Sequence, residues 1–115
     1  MNNREFGNKG EDLACEYLLK NGYKIVDRNV HFSKFCEIDI IAKLKEKYIF
    51  VEVKTRKNNT FGSPLEAITK TKYNNIKTGV LNYIQENKIK NFQIDVIAIT
   101  IYPEKKIEHL KNISW

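Results

Sequence analysis

At 115 residues and 42% hydrophobic composition, the chain is most simply one domain spanning residues 1–115 around one core. Its 20 Lys and Arg against 14 Asp and Glu leave a net charge of +6, which favours an anionic partner, nucleic acid first. No apolar run approaches the roughly 20 residues of a bilayer-spanning helix, and the opening M-N-N-R-E-F-G lacks a signal peptide's apolar region, so no membrane partner and a cytoplasmic location are expected. Cys15 and Cys36 show no zinc-site spacing and read as reduced, unpaired thiols.

Residues 4–21 carry Phe6, Gly10, Leu13, Ala14, Tyr17 and Leu18 at helical spacing, and Asn21-Gly22 ends the pattern as a C-cap does. The spacing predicts a helix with one buried stripe. Glu11 stands seven positions before Leu18, nearly in line with it, which puts its carboxylate at the edge of that stripe; the helix dipole equally favours an acid in a first turn. Gly7 and Gly10 weaken a helix and so imply close approach by another backbone or by a substrate. Residues 23–32 (Y-K-I-V-D-R-N-V-H-F) read as a first strand. Its His31 is a candidate base or ligand, although a lone His on a strand is more often structural or exposed.

The stretch from Cys36 to Arg56 reads as a β-hairpin. In the first arm Glu37, Asp39 and Ile41 alternate with Ile38, Ile40 and Ala42; in the second, Tyr48, Phe50, Glu52 and Lys54 alternate with Ile49, Val51 and Val53. Leu44-Lys45-Glu46-Lys47 lacks the Gly or Asn of a two-residue turn and predicts a four-residue loop. Pairing Lys43 with Tyr48 sets Ile41 against Phe50 and Asp39 against Glu52. Opposed carboxylates, with Cβ atoms about 4.5–5.5 Å apart, repel and call for a cation. Lys54, on the face of Glu52, is one candidate and a divalent metal is the other. An Asp/Glu pair without His or Cys suits a hard ion such as Mg²⁺, which takes carboxylate, water and phosphate oxygens. Lys54 would then polarise the attacking water and offset charge on a phosphate. Charged strand ends are also ordinary solvated faces; these three residues differ in interrupting two apolar strands on one face.

The segment T-R-K-N-N-T-F-G-S-P after Lys54 is a polar, basic loop in which Arg56 and Lys57 are candidates to grip phosphates. A second helix is expected to open at Ser63 as N-cap, with Pro64 in its first position and Glu66 closing a capping box. Leu65, Ile68, Ile76, Val80 and Ile84 mark its buried side, while Lys70, Lys72 and Lys77 form a phosphate-binding surface or simply a solvated face. Residues 92–101 are apolar on nearly both faces, as in a strand covered by helices on each side, with Asp95 a structural acid lacking an assignable partner. Pro103 ends that strand, and residues 106–115 read as an edge strand or an irregular tail.

The segments K-G-E-D-L-A at 9–14, G-Y-K-I-V-D-R-N at 22–29, E-I-D-I-I-A at 37–42, F-V-E-V-K-T-R at 50–56 and F-G-S-P-L-E-A-I at 61–68 resemble the YraN family of small bacterial proteins, over nearly the whole chain. That family is similar to archaeal Holliday-junction resolvases of the PD-(D/E)XK (restriction-endonuclease-like) superfamily. The resemblance implies a three-layer α/β/α domain with a mixed central sheet in the order α-β-β-β-α-β, Mg²⁺ or Mn²⁺, and phosphodiester hydrolysis. It matches Glu11 to the helical acid, Asp39 and Glu52 to the metal-binding acids, and Lys54 to the motif lysine. Cys36 stands where the family usually has Gly, and His31 where it often has a more basic residue. The expected function is a metal-dependent endonuclease acting on branched or structured DNA, with Arg56, Lys57, Lys70 and Lys72 as nucleic-acid contacts and a homodimer implied by the resolvase likeness. The alternative is a non-catalytic nucleic-acid-binding or partner-binding protein that retains the fold.

Overall fold

A computed structural model describes residues 3–33, 36–57 and 68–114; the side chains of residues 3–8 and 33, Phe6 and Gly7 among them, lie outside that description. Helix α1 (Asn3–Lys20) is followed by β1 (Lys24–Ser33), β2 (Cys36–Leu44), β3 (Lys47–Arg56), helix α2 (Lys70–Glu86), β4 (Phe92–Thr100) and β5 (Lys106–Leu110). The five strands form one sheet in sequential order. β1, β2 and β3 are an antiparallel meander; β3 and β4 run parallel, and β5 returns antiparallel to β4. A parallel neighbour needs a crossover, which the segment containing α2 supplies.

Strand alternation sorts the core into two clusters. Ile40, Ala42, Ile49, Val51, Ile97 and Ile99 pack with Ala14 and Leu18 of α1, whereas Ile41, Phe50, Ile94 and Val96 pack with Tyr73, Ile76 and Val80 of α2. The helices thus cover opposite faces, giving the expected three-layer α/β architecture with a mixed sheet. β4 is buried from Ile94 to Thr100, which explains its near-continuous apolar sequence.

Local sequence sets the ends of these elements. Gly22 takes φ 88°, and the N–H groups of Gly22 and Tyr23 donate to the carbonyls of Leu19 and Leu18, closing α1 in a Schellman motif. Gly10 is buried where a Cβ would collide with the Thr55 side chain, so its bare backbone lets α1 rest against β3.

Two expectations are corrected. The hairpin between β2 and β3 turns in two residues, since Leu44 pairs with Lys47 and Lys45 adopts φ 54° without being Gly or Asn. The described part of the second helix begins at Lys70, with Thr69 as N-cap, its hydroxyl accepting from the Lys72 N–H at 3.1 Å. The expected cap at Ser63, Pro64 and Glu66 lies outside the described residues; Ile68 and Thr69, which that helix would include, are not helical. The region after Pro103 resolves into an edge strand, β5.

Candidate functional site

The β2–β3 register follows the expected pairing through Ile41 with Phe50 and Ile40 with Val51. One step further out the ladder gives way to a side-chain contact, in which the Val53 N–H donates to Asp39 Oδ2 at 2.8 Å. Asp39 is hydrogen-bonded there to Glu52, which is only 5% exposed. Burial first, and then the Glu52 charge, push the Asp39 carboxyl up to about 8, against the lowering effect of the Val53 N–H. At neutral pH Asp39 therefore keeps its proton, on the side chain hydrogen-bonded to Glu52.

A cleft of about 250 Å³ opens over this pair on the α2 side of the sheet, lined also by His31, Cys36, Glu37, Lys72, Asn75 and Ile76. Lys72 Nζ lies 2.8 Å from Glu52 Oε1. Burial acts against the Lys72 charge, but Glu52, with Asp39 and Glu37 behind it, outweighs burial and raises its pKa. Cys36 Sγ donates to the Asn75 carbonyl at 2.7 Å and packs where a Cβ at position 79 would collide with it, so Gly79 of α2 makes room for the side chain. His31 is exposed at the rim, 3.7 Å from Glu37.

Glu11 approaches from α1, outside the cleft lining. Its Oε1 is buried without a hydrogen-bond partner and lies 3.8 Å from Arg28 Nη2, which also holds Asp12 at 2.8 Å. Burial is the main cause of a raised Glu11 pKa; the Arg28 charge opposes it, while Glu37 and Glu52 add to it. Its charge thus couples to the carboxylate pair without a direct contact.

The remaining candidates are more scattered. Lys54 lies two residues beyond Glu52 on β3, opposite Ala98 of β4, and is not among the residues lining the cleft. Arg56 ends β3 and Lys57 follows it, their carbonyls accepting from the N–H groups of Ile101 and Tyr102. Lys70 is exposed at the start of α2. Of the four expected nucleic-acid contacts, only Lys72 lines the cleft. That position is legible in retrospect, because Lys72, Ile76 and Val80 repeat every four residues on the apolar side of α2.

Among the described residues no three His, Cys, Asp or Glu side chains are grouped to hold a metal by themselves. The donor set is the Asp39/Glu52 pair, which suits a hard divalent ion completing its shell with water and substrate oxygens. The orphaned Glu11 Oε1 offers a further acceptor nearby for a bound water.

A second buried acid occupies the opposite face. Asp95 is 0% exposed; its Oδ1 accepts from Gln93 Nε2 at 2.8 Å and from the Asn112 N–H at 2.9 Å, and its Oδ2 lies 2.6 Å from His109 Nε2. His109 Nδ1 in turn lies 2.9 Å from the Tyr17 hydroxyl. Sequence reading leaves Asp95 without a partner because His109 falls in the segment whose strand character is ambiguous.

No helix among the described residues is long and apolar enough to cross a membrane. Cys15 and Cys36 are both buried and unpaired, as expected.

Comparison with known proteins matches residues 10–99 to a family described as Uncharacterised protein family UPF0102. That span includes Glu11, Asp39, Glu52, Lys54 and Lys72 and excludes β5. A UPF0102 protein of Syntrophomonas wolfei is 41% identical over 113 residues, covering 96% of this chain and 97% of its own. One from Caldicellulosiruptor saccharolyticus is 44% identical over 110 residues, covering 96% and 92%, and one from Clostridioides difficile is 43% identical over 113 residues, covering 97% and 98%. With matches of this extent, the chain belongs to the UPF0102 family, the YraN group of its sequence resemblance.

Proposed function

We propose that the protein is a divalent-metal-dependent endonuclease acting on branched or structured DNA, with Asp39 and Glu52 as the ligands of Mg²⁺ or Mn²⁺. The observation that carries this reading is the carboxylate pair in a cleft, buried Glu52 hydrogen-bonded to half-buried Asp39, with a third acid, Glu11, close enough for its charge to act on both. Burying two acids together costs stability, and such an arrangement is retained where their charge is used. When bound, the ion would act as a Lewis acid on the phosphate and supply an ionised water at neutral pH. To serve as a ligand Asp39 would release its proton to solvent, and Glu11, whose Oε1 lacks a hydrogen-bond partner, would orient the water. Lys54 offsets charge on the phosphate, while Arg56, Lys57 and Lys70 attract the nucleic-acid backbone from outside the cleft.

The absence of Lys54 from the cleft lining favours the second reading, a nucleic-acid-binding module of the same fold without cleavage. One experiment separates them. Purified protein with Mg²⁺ or Mn²⁺ is expected to cut a panel of duplex, flap and four-way-junction DNA, with EDTA stopping it. Asp39→Asn, Glu52→Gln and Lys54→Ala should each lower cleavage by about a hundredfold or more while leaving most DNA affinity in place. Salt-sensitive DNA binding without cutting on any substrate would instead select the binding module.

A further inference from the structure

We infer that Lys72 is a built-in counter-ion for the Asp39/Glu52 pair, which leaves Glu52 when a divalent cation binds, so that loading the site changes the start of α2. The inference rests on the reading of that pair as a metal site, and assigns Lys72 a role beyond that of a surface phosphate contact.

The case begins with position. Lys72 Nζ makes a 2.8 Å ion pair with Glu52, whose side chain is 6% exposed, while the Lys72 side chain remains 41% exposed. The ammonium is thus placed on a buried acid but has a route to solvent along its own flexible stem. Its place in the helix is electrostatically poor. Thr69 caps α2 and receives the Lys72 N–H, so Lys72 sits in the first turn, at the positive end of the helix dipole, beside Lys70 and with no acid in that turn. The carboxylates opposite, on β2 and β3, offset this arrangement.

A divalent ion on the same carboxylates removes that compensation. Glu52 would then be neutralised by the metal, and Lys72 would face a like charge in front of it and the helix dipole behind it. Release is therefore favoured, and the released ammonium stands at the mouth of the cleft. His31 and Glu37 line that mouth as well, and Glu37 is exposed and within reach of the Lys72 charge, giving the ammonium an acid to move towards.

The test uses Mn²⁺ as probe and does not depend on cleavage. Free Mn²⁺ is followed by electron paramagnetic resonance during titration of the wild type, Glu52→Gln and Lys72→Met, the last retaining an unbranched apolar stem. Lys72→Met is expected to bind Mn²⁺ about fivefold or more tightly than wild type, because a competing cation has been removed. In the wild type, acetylation of the Lys72 amine, read by mass spectrometry, should accelerate several-fold when Mn²⁺ is added, with no such change in Glu52→Gln. If Mn²⁺ binds the wild type through Glu52 yet leaves Lys72 labelling unchanged, the displacement idea is overturned while the metal site stands. Equal or weaker binding by folded Lys72→Met overturns it too. Should that variant fail to fold, the wild-type labelling decides alone. Failure of Mn²⁺ to bind any of the proteins at millimolar concentration removes the metal site itself and this inference with it.

Discussion

Asp95 and Asp39 are carboxylates of inner strands in one sheet, facing opposite helices, and their surroundings could hardly differ more. Asp95 is enclosed by donors: a side-chain amide, a backbone N–H and an imidazole, the last anchored by Tyr17 of α1. Asp39 has one backbone donor and, as its nearest charged neighbour, another acid. Burial with a full set of partners makes a charge into a structural clamp that ties β4, β5 and α1 together. Burial against a like charge creates instead a demand for a cation, which within the chain Lys72 meets in part.

Substitution should separate the two most sharply at Asp95. Asp95→Ala leaves the buried His109 ring without its acid and removes the acceptor of the Asn112 N–H, and is expected to cost about 3–5 kcal/mol in urea unfolding. The opposite sign is expected at Asp39. Asp39 titrates near 3.8 in a free carboxyl and at about 8 in the fold, so between those values the folded chain holds a proton that the unfolded chain has lost. Stability therefore falls as pH rises from about 4 to about 8 and levels off above that. Asp39→Asn removes this slope and raises stability at neutral pH, as urea midpoints measured across the window would reveal; an unchanged slope would mean that Asp39 is ionised throughout.

Gly10→Ala comes next in size. A Cβ at that position meets Thr55, and the overpacking should cost about 1–3 kcal/mol. It also pushes α1 away from β3 beside Glu11 and not at Tyr17, two turns on, so any cleavage activity should drop more than DNA affinity. The smallest effect belongs to Tyr17→Phe, which removes the hydroxyl on His109 while leaving Asp95 its three donors. A loss of about 0.5–1.5 kcal/mol is expected, with no change in Mn²⁺ binding. A Tyr17→Phe loss as large as that of Asp95→Ala would show that the hydroxyl, and not the carboxylate, holds the clamp together.

The two clusters also differ in how far they can be read without coordinates. Asp39 and Glu52 lie on strands joined by a short turn, and alternation on both arms allows few registers, so their meeting follows from local pattern. The turn itself defeats the pattern, since Lys45 takes a left-handed conformation that turn chemistry assigns to Gly or Asn. Lys72 is half legible: it lies in line with Ile76 and Val80, but which strand end faces it depends on how α2 packs. Ser63-Pro64-Leu65-Glu66 is the stronger capping signal by type, and it obscures Thr69, whose Lys72 partner supplies no reciprocal acid. The Asp95 clamp is illegible for a different reason. It requires the β4–β5 register, in which His109 faces Ile97 and so comes diagonally beside Asp95, and neither the strand nor its pairing is marked by composition.

The donors around Asp95 bear on the order of assembly. Gln93 is made just before it, but His109 and Asn112 follow by 14 and 17 positions. While the ribosome is still adding those residues, β4 carries an acid that needs water on the side where α1 belongs. Sealing the layer on that side before Asn112 is made would bury the acid without the donors that His109 and Asn112 supply. α1, although translated ahead of every strand, is therefore late to dock, and the face built by α2 and the hairpin has the earlier opportunity to pack.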